Sequence, residues 1–370
     1  MKLNSRQRVL RALRHEEVDR VPIDLVGRVS RMGDGFYQKE LWDRFKIDFR
    51  RISLRGLEKL PLATPWWGRP RYKNGNFAYV ENYPWPDPYA PGRIEGLREG
   101  LEKLYRDAEY ALESYTARWM PLVQRDAEEL YHKTDYALIG TAPLSGFLEQ
   151  GIALWGCHEF MTALLQDKER VKSFLERIYR TTEAFYGMFL NWVGRYLQII
   201  EIGDDIGMKD GLLISPSIYK EMIKPYHKRI IAFIKRKTAA KVLFHCCGAI
   251  YDIIDDLVEI GVDILSPLQV SSEGMDIERI KQQYGKVLCL HGGLDERLLY
   301  SADAPTLRKH ILRTLSILPQ GSGYILAVEH DLNLPLPKAN LSLILDTALN
   351  FDPKRIDRLQ RLPWEVPILK

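Results

Sequence analysis

The sequence predicts an α/β fold, a (β/α)8 TIM barrel with an N-terminal helical extension, and three observations carry that reading. From about residue 136, short segments rich in β-branched residues alternate with longer amphipathic ones, the pattern of a parallel sheet built from βα units. Two earlier strand-like segments bring the strand count to eight. No Gly-x-Gly-x-x-Gly follows an early strand, which counts against an open, dinucleotide-binding sheet. The 370 residues are read as one domain, 1–370, a length such barrels reach with insertions.

Taken in order, Ser5 reads as the N-cap of a first helix whose apolar face is Val9, Leu10 and Leu13, ended by the charged turn His15-Glu-Glu-Val-Asp-Arg20. Strands are expected over residues 21–25 and near 51–57. Between about residues 60 and 92 seven prolines are interleaved with Trp66, Trp67, Trp85 and four tyrosines. Proline lacks an amide donor and fixes φ, so this insert is neither a central strand nor a long helix. Packing over one end of the core is its expected role, with a lid or docking surface as the alternative. Six more strands are expected at 136–141, 197–203, 241–247, 262–266, 287–291 and 323–329. The helices between them fall at 148–165, 168–196, 217–237, 249–260, 276–284, 305–318 and 339–350.

Composition excludes several classes. The 53 basic against 49 acidic residues leave a net charge of +4, spread along the chain, so nucleic acid is not an expected partner. Apolar runs are interrupted well short of a membrane span of roughly 20 residues. The opening residues lack the apolar segment of a secretory signal, so the cytoplasm is the expected compartment. Four cysteines are too few and too irregular for a disulfide framework, which leaves thiols or metal ligands.

The polar residues at strand ends then point to chemistry. In Val242-Leu-Phe-His-Cys-Cys-Gly248, alternation places His245 and Cys247 on one face and Cys246 on the other. A histidine and a cysteine so placed reach one tetrahedral zinc ion, with Cys246 a buried structural thiol. A catalytic site needs a third ligand, and strand ends offer Glu329, His330, Glu201 and His291. Glu329 and His330, adjacent in Tyr324-Ile-Leu-Ala-Val-Glu-His-Asp331, face opposite ways, so only one of them is expected to bind. Cys289 reads as core, and Trp155-Gly-Cys-His-Glu159 as helix packing. In Ile199-Ile-Glu-Ile-Gly-Asp-Asp-Ile-Gly207 a carboxylate within a β-branched run needs a partner or a role. Glu201, Asp204 and Asp205 are candidates for acid–base work, for the surroundings of a metal or for its open position, and Asp204 and Asp205 also fit a turn before a helix. Asp24 is a weaker candidate of the same kind.

These residues resemble the uroporphyrinogen decarboxylase-like proteins over nearly the whole chain. The resemblance is carried by Ser5 to Asp24, Tyr83-Pro-Trp-Pro-Asp-Pro88, Gly203-Asp-Asp-Ile-Gly207, Leu213-Ile-Ser-Pro216, Lys224-Pro-Tyr-His-Lys228 and His245-x-Cys-Gly248. It implies the same barrel and two competing chemistries. True uroporphyrinogen decarboxylases use no metal and hold their tetrapyrrole with an N-terminal Arg-Gln-Ala-Gly-Arg motif, which is missing here. The other branch comprises zinc-dependent methyltransferases that exchange a methyl group with a corrinoid (cobalamin) on a partner protein. His245 and Cys247 match that branch's His-x-Cys pair. Its later cysteine is absent, and Val328-Glu-His-Asp331 stands in that place.

The expectation is therefore a zinc-dependent methyltransferase that demethylates a small methoxylated or methylated substrate and passes the methyl group to the corrinoid protein. Zinc would be held by His245, Cys247 and either His330 or Glu329, with Glu201, Asp205 and Asp204 around the substrate. A ligand set poorer in sulfur makes the metal a stronger Lewis acid, which suits an ether or amine leaving group. A homodimer is compatible with this reading. A tetrapyrrole decarboxylase, or a non-catalytic corrinoid- or tetrapyrrole-binding protein, is the alternative.

Overall fold

The computed structural model describes residues 2–25, 47–53, 108–141, 146–329 and 337–351. The insert at residues 60–92 and His330 lie outside them. The strands are β1 (Ile23–Asp24), β2 (Phe49–Ile52), β3 (Ala137–Thr141), β4 (Ile199–Gly203), β5 (Lys241–His245), β6 (Ile264–Leu268), β7 (Cys289–Leu294) and β8 (Tyr324–Val328). They form one parallel sheet in the order β1-β8-β7-β6-β5-β4-β3-β2. At the seam the residue before β2 joins the two ends. Asp48 N–H donates to Ile23 O at 3.1 Å, and Asp48 Oδ2 accepts the Ile23 N–H at 2.9 Å. With helices around it, the fold is the expected (β/α)8 TIM barrel.

Those helices are α1 (Ser5–Leu13), α2 (Ala108–Lys133), α3 (Phe147–Trp155), α4 (Cys157–Gln166), α5 (Lys168–Val193), α6 (Lys224–Lys237), α7 (Ile254–Glu259), α8 (Ile277–Tyr284), α9 (Glu296–Ser301), α10 (Ala304–Ile317) and α11 (Lys338–Leu349). Asn4, not Ser5, caps α1. Its side chain accepts the Gln7 N–H while Gln7 Oε1 accepts the Asn4 N–H, a reciprocal capping box. The single helix expected over 148–165 is two, because Gly156 adopts φ +88° between α3 and α4, a conformation open to glycine at no steric cost. Trp155 packs edge-on to Phe160 there, in keeping with a packing role for that segment. The helix expected over 217–237 includes a short turn at Pro216–Ile218 and a wider, π-type turn at Tyr219–Ile223 before α6.

Alternation along the strands sorts residues into two cores. Inward residues near the strand starts, Phe49, Ala137, Ile139, Ile199, Leu243, Ile264, Cys289 and Ile325, pack with Val9 and Leu13 of α1. The first helix thereby plugs the N-terminal end of the barrel. Outward residues such as Leu138, Ile200, Val242, Phe244, Leu265 and Leu290 belong to the larger core under the helices. Among the described residues no helix is long and apolar enough to cross a membrane.

Candidate metal centre at the barrel mouth

The site is built where β4 and β5 end side by side, Gly203 paired with His245. One residue further on, Asp204 N–H donates to His245 O at 3.0 Å and Cys246 N–H donates to Ser266 O at 2.7 Å, so the chain stays ordered beyond both strands. His245 and Cys247 point together, with Sγ 3.4 Å from Nε2. Cys246 points the other way into the outer core, fully buried, and its Sγ accepts the Ile206 N–H at 3.3 Å. Burial pushes the Cys246 thiol well above its ordinary pKa, with the Asp205 charge adding to the shift, so it stays protonated.

Asp205 joins His245 and Cys247. Its Oδ1 lies 3.9 Å from His245 Nε2 and accepts the Cys247 N–H at 2.9 Å. One ligand-type atom from each of the three lies within 4.8 Å of the others. Zinc bonds of about 2.0–2.3 Å at tetrahedral angles place neighbouring donor atoms roughly 3.3–3.6 Å apart, so the 3.4 Å nitrogen–sulfur separation is near-coordinating and the 3.9 Å nitrogen–oxygen one is slightly longer. The His245 and Asp205 side chains keep 16% and 24% of their surface open, which leaves the centre reachable from the mouth. Two glycines permit this closeness. A Cβ at Gly207 would come within 2.3 Å of Cys247 O, and one at Gly248 within 2.4 Å of the Gly207 carbonyl carbon. The Gly-Asp-Asp-Ile-Gly and His-Cys-Cys-Gly segments therefore interlock backbone to backbone.

The other expected residues are placed differently. Glu329, at the end of β8, lies outside this group. Its Oε2 accepts the Ser271 N–H at 3.0 Å and its Oε1 the Glu296 N–H at 3.2 Å, tying two loops together. Asp204 is fully buried and accepts the Leu148 and Glu149 amides at 2.9 and 3.0 Å, satisfying the open N-terminus of α3. Glu201 faces the barrel axis and pairs with Arg51, whose Nη2 reaches Asp24 Oδ2 at 3.0 Å. His291 Nε2 lies 3.1 Å from the same Asp24 oxygen, and its Nδ1 lies 3.0 Å from Ser266 Oγ. A polar layer of Asp24, Arg51, Glu201, Ser266 and His291 thus spans the barrel above the apolar plug. Arg51 and Ser266 escaped the sequence reading. Their signal was a polar residue on the inward alternation of a strand, Phe49 to Arg51 and Ile264 to Ser266.

Burial, then the nearby Asp295 charge, raises the Glu329 pKa from 4.5 to about 7. The folded state therefore holds this proton more tightly than the unfolded chain, and Glu329 contributes stability that is lost as pH rises from about 4.5 through about 7. In urea unfolding, the stability of the native chain relative to Glu329→Gln is expected to fall across that window. A flat or rising difference would contradict the burial effect.

Fold and site together define a barrel protein with a mixed nitrogen, sulfur and oxygen centre at the C-terminal mouth of its strands. Residues 134–351, more than half of the chain, match the profile of the family described as Uroporphyrinogen decarboxylase (URO-D), and the chain belongs to that family. The Ser5 to Asp24 segment lies before the matched stretch. Uroporphyrinogen decarboxylase of Neisseria meningitidis serogroup B is 25% identical over 228 residues, 57% of this chain and 60% of that protein. The protein of the same name from Neisseria gonorrhoeae (strain NCCP11945) matches with the same identity and coverage. The match thus spans about 60% of the length of these curated relatives. Among solved structures, a methyltransferase from Methanosarcina mazei superposes with a TM-score of 0.63, covering 95% of this chain and 99% of that one at 16% identity, a likeness of fold.

Proposed function

We propose that the chain is a metal-dependent methyltransferase that takes the methyl group of a small methoxylated or methylated compound and passes it to a reduced corrinoid carried by a partner protein. Zinc is held by Asp205, His245 and Cys247 in this reading. The observation that carries it is the meeting of those three donors at the barrel mouth, in the three-ligand, open arrangement that catalytic zinc sites use. The Methanosarcina mazei fold, shared over 95% of the chain, supports it. Bound there, zinc supplies Lewis acidity toward the heteroatom that carries the methyl group.

The chain's own residues do the rest. A set with one thiolate is less electron-rich than one with two, which favours an ether or amine leaving group over a thiol acceptor. As the methyl group leaves, its bonding electron pair stays on the heteroatom, which then takes up a proton. Water at the open mouth supplies that proton, and Glu201, ion-paired with Arg51 on the inner wall below the centre, is assigned to orient the water that delivers it. Asp204, committed to the amides of α3, is assigned no proton transfer.

The curated relatives favour a second reading, decarboxylation of a tetrapyrrole. One experiment separates the two. Zinc-loaded protein is incubated with chemically reduced cobalamin and a panel of methoxybenzenes and methylamines, and in parallel with uroporphyrinogen. The expected result is a demethylated phenol or amine, seen by chromatography and dependent on both protein and cobalamin. Carboxyl loss from uroporphyrinogen with no demethylation would overturn the proposal in favour of the second reading.

A further inference from the structure

Two motifs remain without a role in that chemistry, the first aspartate of Gly203-Asp-Asp-Ile-Gly207 and the histidine of Lys224-Pro-Tyr-His-Lys228, and the structure brings them into contact behind the metal centre. His227 of α6 is 2% exposed, and its Nε2 lies 3.0 Å from Asp204 Oδ2. A carboxylate only accepts, so Nε2 carries the hydrogen. Nδ1 faces the Tyr219 hydroxyl at 3.3 Å. Burial raises the Tyr219 pKa far above its ordinary value, so that hydroxyl stays protonated and able to bond Nδ1. Both ring nitrogens are therefore committed.

The same ring also packs on the neighbouring strand. It stands edge-on to Phe244 with centroids 5.0 Å apart, and 5.6 Å from the Phe147 ring at the start of α3. Phe244 immediately precedes His245, and Asp204 immediately precedes Asp205. One buried imidazole thus braces both segments that present donors to the metal. Close packing fixes the arrangement from the far side as well. A Cβ at Gly146, the residue capping α3, would lie 2.0 Å from Asp204 Cγ, so Asp204 is seated against a backbone that admits no side chain.

We propose that His227 is the positioning residue of the metal centre: by holding Asp204 on one side and Phe244 on the other, it fixes the separation of Asp205 from His245 and Cys247. The proposal rests on the metal reading above. Partners that hydrogen-bond the ligands directly commonly change metal affinity by about 10- to 100-fold when removed, and His227, which acts one residue further back through Asp204 and Phe244, is expected at the lower end of that range. A buried histidine serving only the core would lower the melting temperature and leave affinity alone.

The test measures zinc affinity of the full chain by competition with a chromophoric chelator, with melting followed by circular dichroism. His227→Phe keeps the ring and loses both hydrogen bonds, and is expected to bind zinc about 10-fold more weakly while still unfolding cooperatively. His227→Gln, whose amide N–H falls near the place of Nε2, is expected to recover affinity to within about threefold, whereas His227→Asn, which mimics Nδ1, is not. Should His227→Phe fail to fold, the difference between the glutamine and asparagine variants decides. Equal zinc affinity across the folded variants and the native chain overturns the positioning role. Failure of the native chain itself to bind zinc overturns the metal reading instead.

Discussion

Replacing Asp48 with alanine is expected to destabilise the barrel by about 3–5 kcal/mol in urea unfolding, the usual effect of removing one partner from a buried ion pair. Asp48 is fully buried and serves three groups at once. Arg8 Nη1 donates at 2.6 Å, Arg20 Nη1 and Nη2 donate at 2.7 and 3.0 Å, and the Ile23 amide donates at 2.9 Å. Arg8 sits in the plugging helix, Arg20 and Ile23 lead into and form β1, and Asp48 itself leads into β2. One carboxylate therefore fastens the plug and the seam. Burial works against the Arg8 charge, but its hydrogen bond to Asp19 and the Asp48 and Asp19 charges outweigh that and raise its pKa. Alanine would leave that guanidinium charged and facing a cavity, and the Ile23 amide without its carboxylate acceptor. Arg20, 14% exposed, has a route to water, which keeps the effect within the quoted range. Asp48→Asn, which keeps an acceptor, should cost less than alanine. A loss below about 1 kcal/mol for alanine would show that the seam is held by its backbone bonds alone.

That cluster marks where sequence reasoning runs out. The strands were legible because β-branched runs between turn residues mark buried parallel strands directly, and the faces of His245, Cys246 and Cys247 followed from alternation alone. Helix α2 has no counterpart among the expected helices although Met120, Val123 and Ala127 mark a buried face at helical spacing, because Pro121 inside it and the proline-rich insert before it read as breaks. The helix expected over 148–165 runs through Gly156, whose positive φ is set by the fold and not by one residue letter. Alternation carried two residues past β4 puts Asp205 on the face of Glu201 and Gly203, just as it puts Cys247 on the face of His245, but it leaves open which of acid–base work, the surroundings of a metal or its open position Asp205 serves. How far the β4 turn carries it over Cys247 is visible only in the structure, where its carboxylate accepts the Cys247 N–H at 2.9 Å. Longer-range pairings were beyond reach altogether. Asp24 meets His291 across 267 residues and Arg51 meets Glu201 across 150, and nothing local specifies either pair.

Removing His245 and Cys247 together is expected to abolish zinc binding, from about one ion per chain to none, while leaving the barrel folded. Four-ligand structural zinc sites bind with about 10–16 kcal/mol at neutral pH, on the order of 2.5–4 kcal/mol per ligand, so losing two ligands lowers affinity by roughly four to six orders of magnitude. The fold should survive because the donors stand at the mouth, outside both apolar cores, with His245 side chain 16% exposed. Cys246→Ala serves as the control. Its sulfur sits in the outer core and accepts the Ile206 amide, so the substitution is expected to cost stability and leave the zinc stoichiometry unchanged. Elemental mass spectrometry on zinc-reconstituted, dialysed protein reads both. Equal zinc in the native chain and the double variant would reduce the 3.4 Å approach of His245 Nε2 to Cys247 Sγ to an ordinary hydrogen bond between side chains. Zinc lost in the Cys246 variant would put the metal on the opposite face of β5, where Phe244 and the outer core leave no room for a substrate, and a catalytic metal would then be excluded by packing alone.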